Sequence, residues 1–238
     1  ALFFLYLCAF RRFAQGYYDD KRVTLKELSA ALDANWQGYE RLCLQIRNSP
    51  VRYGNNNPEA DIYAAAIADY YSGRVNNIPN GRGGVYKAIM HSARQFIEQG
   101  KKTLASADGR KNGDILSKNG SPCDGMDKNG VTALIESALR LTPSNFHESF
   151  CLDVMLHPSA ISGNAGLRVF NSLLKTYMAL GGMAVQFNIF NEEMLRDAQV
   201  NPGKYRNLQV RVCGWNVLWN NLSREEQEAY IKRAQNIK

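Results

Sequence analysis

Apolar residues fall into two repeating patterns along this chain of 238 residues. Between Thr24 and Ile46 the period is helical, with Leu25, Leu28, Leu32, Tyr39, Cys43 and Ile46 on one buried face. Thr24 followed by Glu27 is the signature of a capping box, so a helix should open there. Asn55 to Pro58 break the pattern, a second helix is expected over Ile62 to Tyr71, and the Asn- and Gly-rich stretch from Asn76 to Gly84 reads as a loop. Helical spacing returns from Lys87 to Gly100 and from Val131 to Leu141, on either side of loop-rich sequence from Asp108 to Gly130. Leu152 to Leu156 predicts a short buried strand and Leu167 to Leu180 a helix. Met183, Val185, Phe187 and Ile189 then share one parity, as in a half-buried strand. Asn191 should cap a helix with Glu192 and Glu193 in its first turn, where acids suit the helix dipole, and Pro202 and Gly203 should end it. Leu208, Val210 and Val212 alternate with Gln209 and Arg211, and Ser223 with Glu226 forms a second capping box that opens the last helix. Helices alternating with strands predict an α/β fold, with no internal repeat.

A chain of this length can bury the core of one or two domains. Its net charge of +7 comes from Lys and Arg spread among acids, without a basic run or an aromatic RNA-binding motif. That distribution favours a solvated surface over a nucleic-acid partner. The opening ALFFLYLCAFRRF is apolar and then basic, the reverse of a signal peptide, and too short to span a membrane. It reads as a buried strand or helix, and without an initiating Met the chain is expected to begin inside a longer protein. Five cysteines (Cys8, Cys43, Cys123, Cys151 and Cys213) stand at irregular intervals, which argues for a reducing compartment rather than a disulfide framework. His91, His147 and His157 lie too far apart for a metal-ligand spacing, and the glycine-rich loops lack a phosphate-loop pattern. Asp108, Arg110, Asp127 and Lys128 in those loops read as surface charges; organising a contact between two parts of the molecule is the alternative.

The string Arg211-Val212-Cys213-Gly214-Trp215 carries the most chemistry. A carbon-centred backbone radical needs a planar Cα whose spin spreads over the flanking amide and carbonyl groups. A Cβ would crowd that centre, and glycine has none. A turn or bulge between two strands is the plainer use of the same residue. Cys213 adjoins Gly214, but successive side chains of an extended chain point to opposite faces, so it is poorly placed to exchange a hydrogen with its neighbour and reads as a small buried residue.

With the surrounding GGMAVQFNIFNEEMLRDAQVNPGKYRNLQVRVCGWNVLWNNLSREEQEAYIKRA, this string resembles the C-terminal glycyl radical domain of the pyruvate formate-lyase-like enzymes. The family pattern is Arg-Val, a small residue, Gly, then an aromatic; here Cys213 and Trp215 take the small and aromatic places. NGRGGVYKA, ADGRKNGDILSKNGSP and GMDKNGVTALIESALRL resemble, in order, the segments that precede that domain, so the likeness runs from about Tyr18 to the end. The resemblance implies the C-terminal portion of a large glycyl radical enzyme α/β barrel, divided into a partial barrel segment (1–125) and a glycine radical domain (126–238). It implies that Gly214 stores a radical and passes it to a catalytic cysteine for C–C cleavage, as in formate C-acetyltransferase, or for elimination. No cofactor is bound; the radical is installed by a partner, a radical-SAM activating enzyme that uses S-adenosylmethionine and an iron–sulfur cluster. In the family the catalytic cysteine sits on a separate upstream loop whose motif this chain lacks, so neither Cys123 nor Cys151 is expected to fill that role. A cytoplasmic homodimer acting on a small-molecule substrate in anaerobic metabolism is implied, with no nucleic acid and no membrane, and the isolated chain is expected to be inactive. The alternative is a stand-alone glycyl radical module that docks to and rescues a damaged partner enzyme.

Overall fold

The computed structural model describes residues 23–92, 95–212 and 215–235. The apolar opening segment with Cys8, and Cys213 and Gly214, lie outside the described residues. Thr24 does cap a helix, α1 (Leu25–Asp33), with the reciprocal Thr24–Glu27 bonds in place. The helical stripe to Ile46 belongs to two helices rather than one. The chain turns through positive φ at Asn35, Trp36 and Gly38 before α2 (Glu40–Arg47). This turn swings Trp36 inward, where its indole donates to the Arg110 carbonyl at 3.0 Å. Leu28, Cys43 and Ile46 converge on the same small core, while Leu25 is left 52% exposed.

Helix α3 (Pro58–Val75) starts where Asn57 caps it and Pro58 occupies the first turn. Where helical spacing predicted a helix from Lys87, the chain instead forms a short strand, β1 (Ile89–Met90); helix α4 (Gln95–Lys102) starts only afterwards. Pairing decides this: β1 runs parallel to the start of β2 (Ser149–Leu156), with Met90 opposite Phe150. Helix α5 (Gly130–Leu139) precedes β2, α6 (Gly163–Ala179) follows it, and β3 (Ala184–Ile189) closes a parallel sheet of order β1–β2–β3.

The sheet is covered on both faces, as parallel sheets are. Phe150, Leu152, Val154 and Leu156 of β2 and Val185, Phe187 and Ile189 of β3 pack in one core with residues of α3, α5 and α6. The opposite face of the paired strands carries Cys151, Asp153 and Met155 beside Ala184, Gln186 and Asn188. In β3 the half-buried expectation is reversed: the polar positions Gln186 and Asn188 are only 5% and 3% exposed, and the apolar ones are partly buried.

The C-terminal elements lie against that polar face. They are α7 (Glu192–Val200), capped by Asn191 as expected, a β4–β5 hairpin (Gln209–Val212 and Trp215–Leu218), and α8 (Arg224–Gln235), opened by the Ser223–Glu226 capping box. Leu195, Val210, Trp219, Tyr230 and Ile231 gather with Met155 in a second core. Among the described residues no helix is long and apolar enough to cross a membrane.

Candidate functional site

Strands β4 and β5 pair antiparallel, with Val210 opposite Val217, Arg211 opposite Asn216 and Val212 opposite Trp215. The sequence between those last partners is Cys213-Gly214. A two-stranded ribbon is marginal on its own in water, and this one is tied down at several places. Val210 and Trp219 are buried, and the Trp219 amide donates to the Leu208 carbonyl at 2.8 Å across the base of the hairpin. Arg211 is held through its backbone. Its amide donates to Asn188 Oδ1 at 2.9 Å, and its carbonyl accepts from Asn188 Nδ2 at 3.3 Å and from the Tyr230 hydroxyl at 3.0 Å. Its side chain reaches across the ribbon to Asn216 Oδ1 at 3.2 Å.

Beneath the hairpin lies a buried polar network centred on Asp153. Its carboxylate is fully buried and faces Lys118 Nζ at 3.4 Å. Asn119 Nδ2 donates to it at 2.5 Å, and Gln186 Nε2 donates to its other oxygen. Burial alone would push this carboxyl up. The charges of Lys118 and Arg233 and the bonds from Gln186 and Asn119 outweigh it, holding the group below the usual carboxylate range. Ser121 closes the network by exchanging hydrogen bonds with the Asp153 backbone, at 2.8 and 3.2 Å.

Arg233 of α8 enters the same network. Its Nε meets Asp124 at 3.1 Å and its Nη2 donates to the Asp153 carbonyl at 3.3 Å. Burial works against its charge, but Asp124, Asp153 and Asp127 together raise its affinity for the proton above the ordinary arginine value. Asp124 and Asp127 are themselves pushed up, by burial first, against the pull of Arg233. Lys118 also lies over the rings of Phe96 and Tyr230, at 5.5 and 5.4 Å. The segment from Lys118 to Asp127 thus interlocks β2 with α8.

The other candidates divide. Gly214 and Cys213, on which the sequence reading turned, lie outside the described residues. Cys151 is buried on β2 and Cys123 is partly buried, lining a cleft of about 430 Å³ with Arg52, Asp124 and Lys232. Arg110 corrects the surface-charge reading: it is 5% exposed and donates to the carbonyls of Thr103, Leu104 and Asp114, bracing its own loop. Asp127 is partly buried, with the charge of Arg233 pulling against its raised carboxyl, and the Lys128 amide donates to Asn55 Oδ1 at 2.8 Å. His157 caps a short 3₁₀ turn through Nδ1, and His91 meets Ser149 at 3.3 Å. Among the described residues no group of His, Cys, Asp or Glu is arranged to hold a metal.

Sequence reasoning missed Asp153, Lys118, Gln186, Asn188, Tyr230 and Arg233. One signal was available. Asp153 interrupts the otherwise apolar run from Phe150 to Leu156, and an acid inside such a strand needs a cation or several donors.

Two family models match the chain: Pyruvate formate lyase-like over residues 15–99 and Glycine radical over residues 116–220. The chain belongs to the glycyl radical enzymes. It corresponds to the C-terminal part of this family. It is 34% identical over 218 residues to trans-4-hydroxy-L-proline dehydratase of Clostridioides difficile, covering 92% of this chain and 28% of that protein. It is 31% identical to the glycyl radical subunit of 4-hydroxyphenylacetate decarboxylase of Clostridium scatologenes, covering 93% of this chain and 27% of that one. Its fold superposes with a TM-score of 0.90, at 31% identity, on a structure describing 1,2-propanediol dehydration in Roseburia inulinivorans, covering 97% of this chain and 30% of that one. The chain therefore spans little more than a quarter of the curated relatives it matches. The mixed α/β architecture is that of the pyruvate formate lyase-like fold seen in these neighbours.

Proposed function

We propose that this chain carries the radical-storing part of a glycyl radical enzyme of the eliminating kind, with the spin on the Cα of Gly214. The observation that carries this reading is the string RVCGW within the Glycine radical match at 116–220. The hairpin anchored on the buried polar face supports it, because Gly214 falls between the paired residues Val212 and Trp215. Gly214 would give up its Cα hydrogen atom to a partner activating enzyme, whose S-adenosylmethionine and iron–sulfur cluster would supply the hydrogen-abstracting chemistry. The glycyl radical then takes a hydrogen atom from a cysteine thiol outside this chain, which restores the glycine and leaves a thiyl radical to react with substrate. Dehydration in the first named relative supports elimination, decarboxylation in the second is a C–C cleavage, and neither is named for formate acetyltransfer. A cytoplasmic homodimer, divided near residue 125 into a barrel segment and a radical domain, completes the reading.

Electron paramagnetic resonance tests it. Anaerobic activation of the full-length protein should give a doublet that Gly214→Ala abolishes. Admission of oxygen should cleave the polypeptide at that residue, as read by mass spectrometry. A doublet that survives Gly214→Ala overturns the assignment.

A further inference from the structure

The polar face of β3 is buried against the hairpin rather than against solvent or an apolar core. A strand that keeps two amides 3% and 5% exposed must satisfy them, and Asn188 does so almost entirely on one residue of another element. Its amide group faces the Arg211 peptide in both senses, oxygen to N–H and nitrogen to C=O, as a strand neighbour's backbone would. The Tyr230 hydroxyl adds a second donor to the same carbonyl from the opposite element, α8. Tyr230 is itself fixed: its ring lies 6.4 Å from Trp219, and Lys118 sits over it. The Arg211 peptide is thus gripped from the sheet and from the last helix together, three positions before Gly214.

We propose that Asn188 and Tyr230 are positioning residues that fix the placement of the hairpin stem, and through it the placement of Gly214 relative to its hydrogen-exchange partner. This rests on the proposed radical role of Gly214. The physical reason is the weakness of an isolated ribbon set against the demand of the chemistry. Hydrogen transfer needs reacting atoms about 3–3.5 Å apart, and a misplacement of about 1 Å can cost on the order of a hundredfold in rate. Within β4, Val210 is anchored by apolar burial without direction and Arg211 by directed bonds. Directed bonds set position; apolar burial sets only proximity. The same division of labour supports precise sites elsewhere, where outer residues lock the ones that react.

The experiment compares Tyr230→Phe, Asn188→Leu and Asn188→Asp with the parent in the full-length protein, using two readouts. The first is amide hydrogen exchange of the peptide covering residues 207–219, alongside thermal melting. Tyr230→Phe, which removes one oxygen, should speed exchange there at least about tenfold while lowering the melting temperature by no more than about 2–4 °C. Asn188→Leu should do more. Asn188→Asp, which keeps the acceptor for the Arg211 amide, should recover part of the protection. The second readout is turnover per unpaired spin after activation. It should fall at least tenfold in Tyr230→Phe with the spin yield unchanged, whereas a purely structural role would lower spins and turnover together. Parent-like exchange in residues 207–219, or unchanged turnover per spin, overturns the proposal. Gly214→Ala separates the two ideas: it should abolish the doublet and leave exchange of β4 as in the parent.

Discussion

At the scale of single residues, Asp153 is the centre of the buried polar network. It is a carboxylate at 0% exposure, and its charge is balanced by Lys118 and Arg233 and by donors from Asn119 and Gln186. Removing one partner of a buried pair typically costs about 3–5 kcal/mol because the other charges are left uncompensated. Asp153→Asn should therefore destabilise the fold at neutral pH by about that amount, measured by urea unfolding, with Lys118 and Arg233 left facing a neutral amide. The pH dependence follows from the sign of the shift. A carboxyl held below its unfolded value, about 3.9, contributes stability that is fully present above that value and lost as pH falls through the folded one. Asp124 and Asp127 are raised, so their effect has the opposite sign: acidification through their folded values relieves a cost. Asp153 should thus contribute to the loss of stability below about pH 4, alongside Asp197, Glu27, Glu40 and Glu228, which are also held below the ordinary carboxylate range, and that loss should be smaller in Asp153→Asn than in the parent.

At the scale of elements, α8 is the rivet of the molecule. Lys101 of α4 meets Glu225 at 2.9 Å, Arg196 of α7 meets Glu228 at 2.8 Å, and Arg233 reaches both Asp124 and the Asp153 carbonyl. The exposed pairs add little each, and the buried arginine sets the position of the helix. The helix starts because Ser223 and Glu226 satisfy each other's orphan amides, at 3.3 and 2.8 Å. Ser223→Ala should cost about 1 kcal/mol and should loosen the last helix first, visible as faster amide exchange over 224–235 than over β2. That capping box was legible in the sequence, as were the caps at Thr24 and Asn191, because capping is decided within four residues. The strand β1 was not. Two residues of extended chain carry no period, and only the neighbouring strand β2 makes them a strand.

At the scale of the whole molecule, part of the positive charge is paired within the chain. Lys101, Lys118, Arg140, Arg196, Lys204 and Arg233 all stand in ion pairs with acids of this chain. The excess of +7 comes from Lys and Arg interspersed with acids along the sequence, without a long basic run. Fluorescence anisotropy with duplex DNA at physiological salt should show nothing tighter than the ordinary non-specific range, about 10⁻⁴–10⁻⁶ M. Lys118 and Arg233 tie β2 to the last helix.

The sequence by itself determined the α/β class, the capped helix starts, the alternating strand that leads to Gly214 and the family to which the chain belongs, because each is written in local pattern or in a short contiguous motif. It did not determine which face of β3 is the inside. Alternation reports two faces but not what covers them, and here Gln186 and Asn188 are buried because a polar hairpin and an arginine-bearing helix lie over them. Nor did it bring Lys118, Asp153 and Arg233 together across 115 positions of chain. Only the tertiary structure decided that, since a buried charge finds its partners through space and the partners leave no spacing in the sequence.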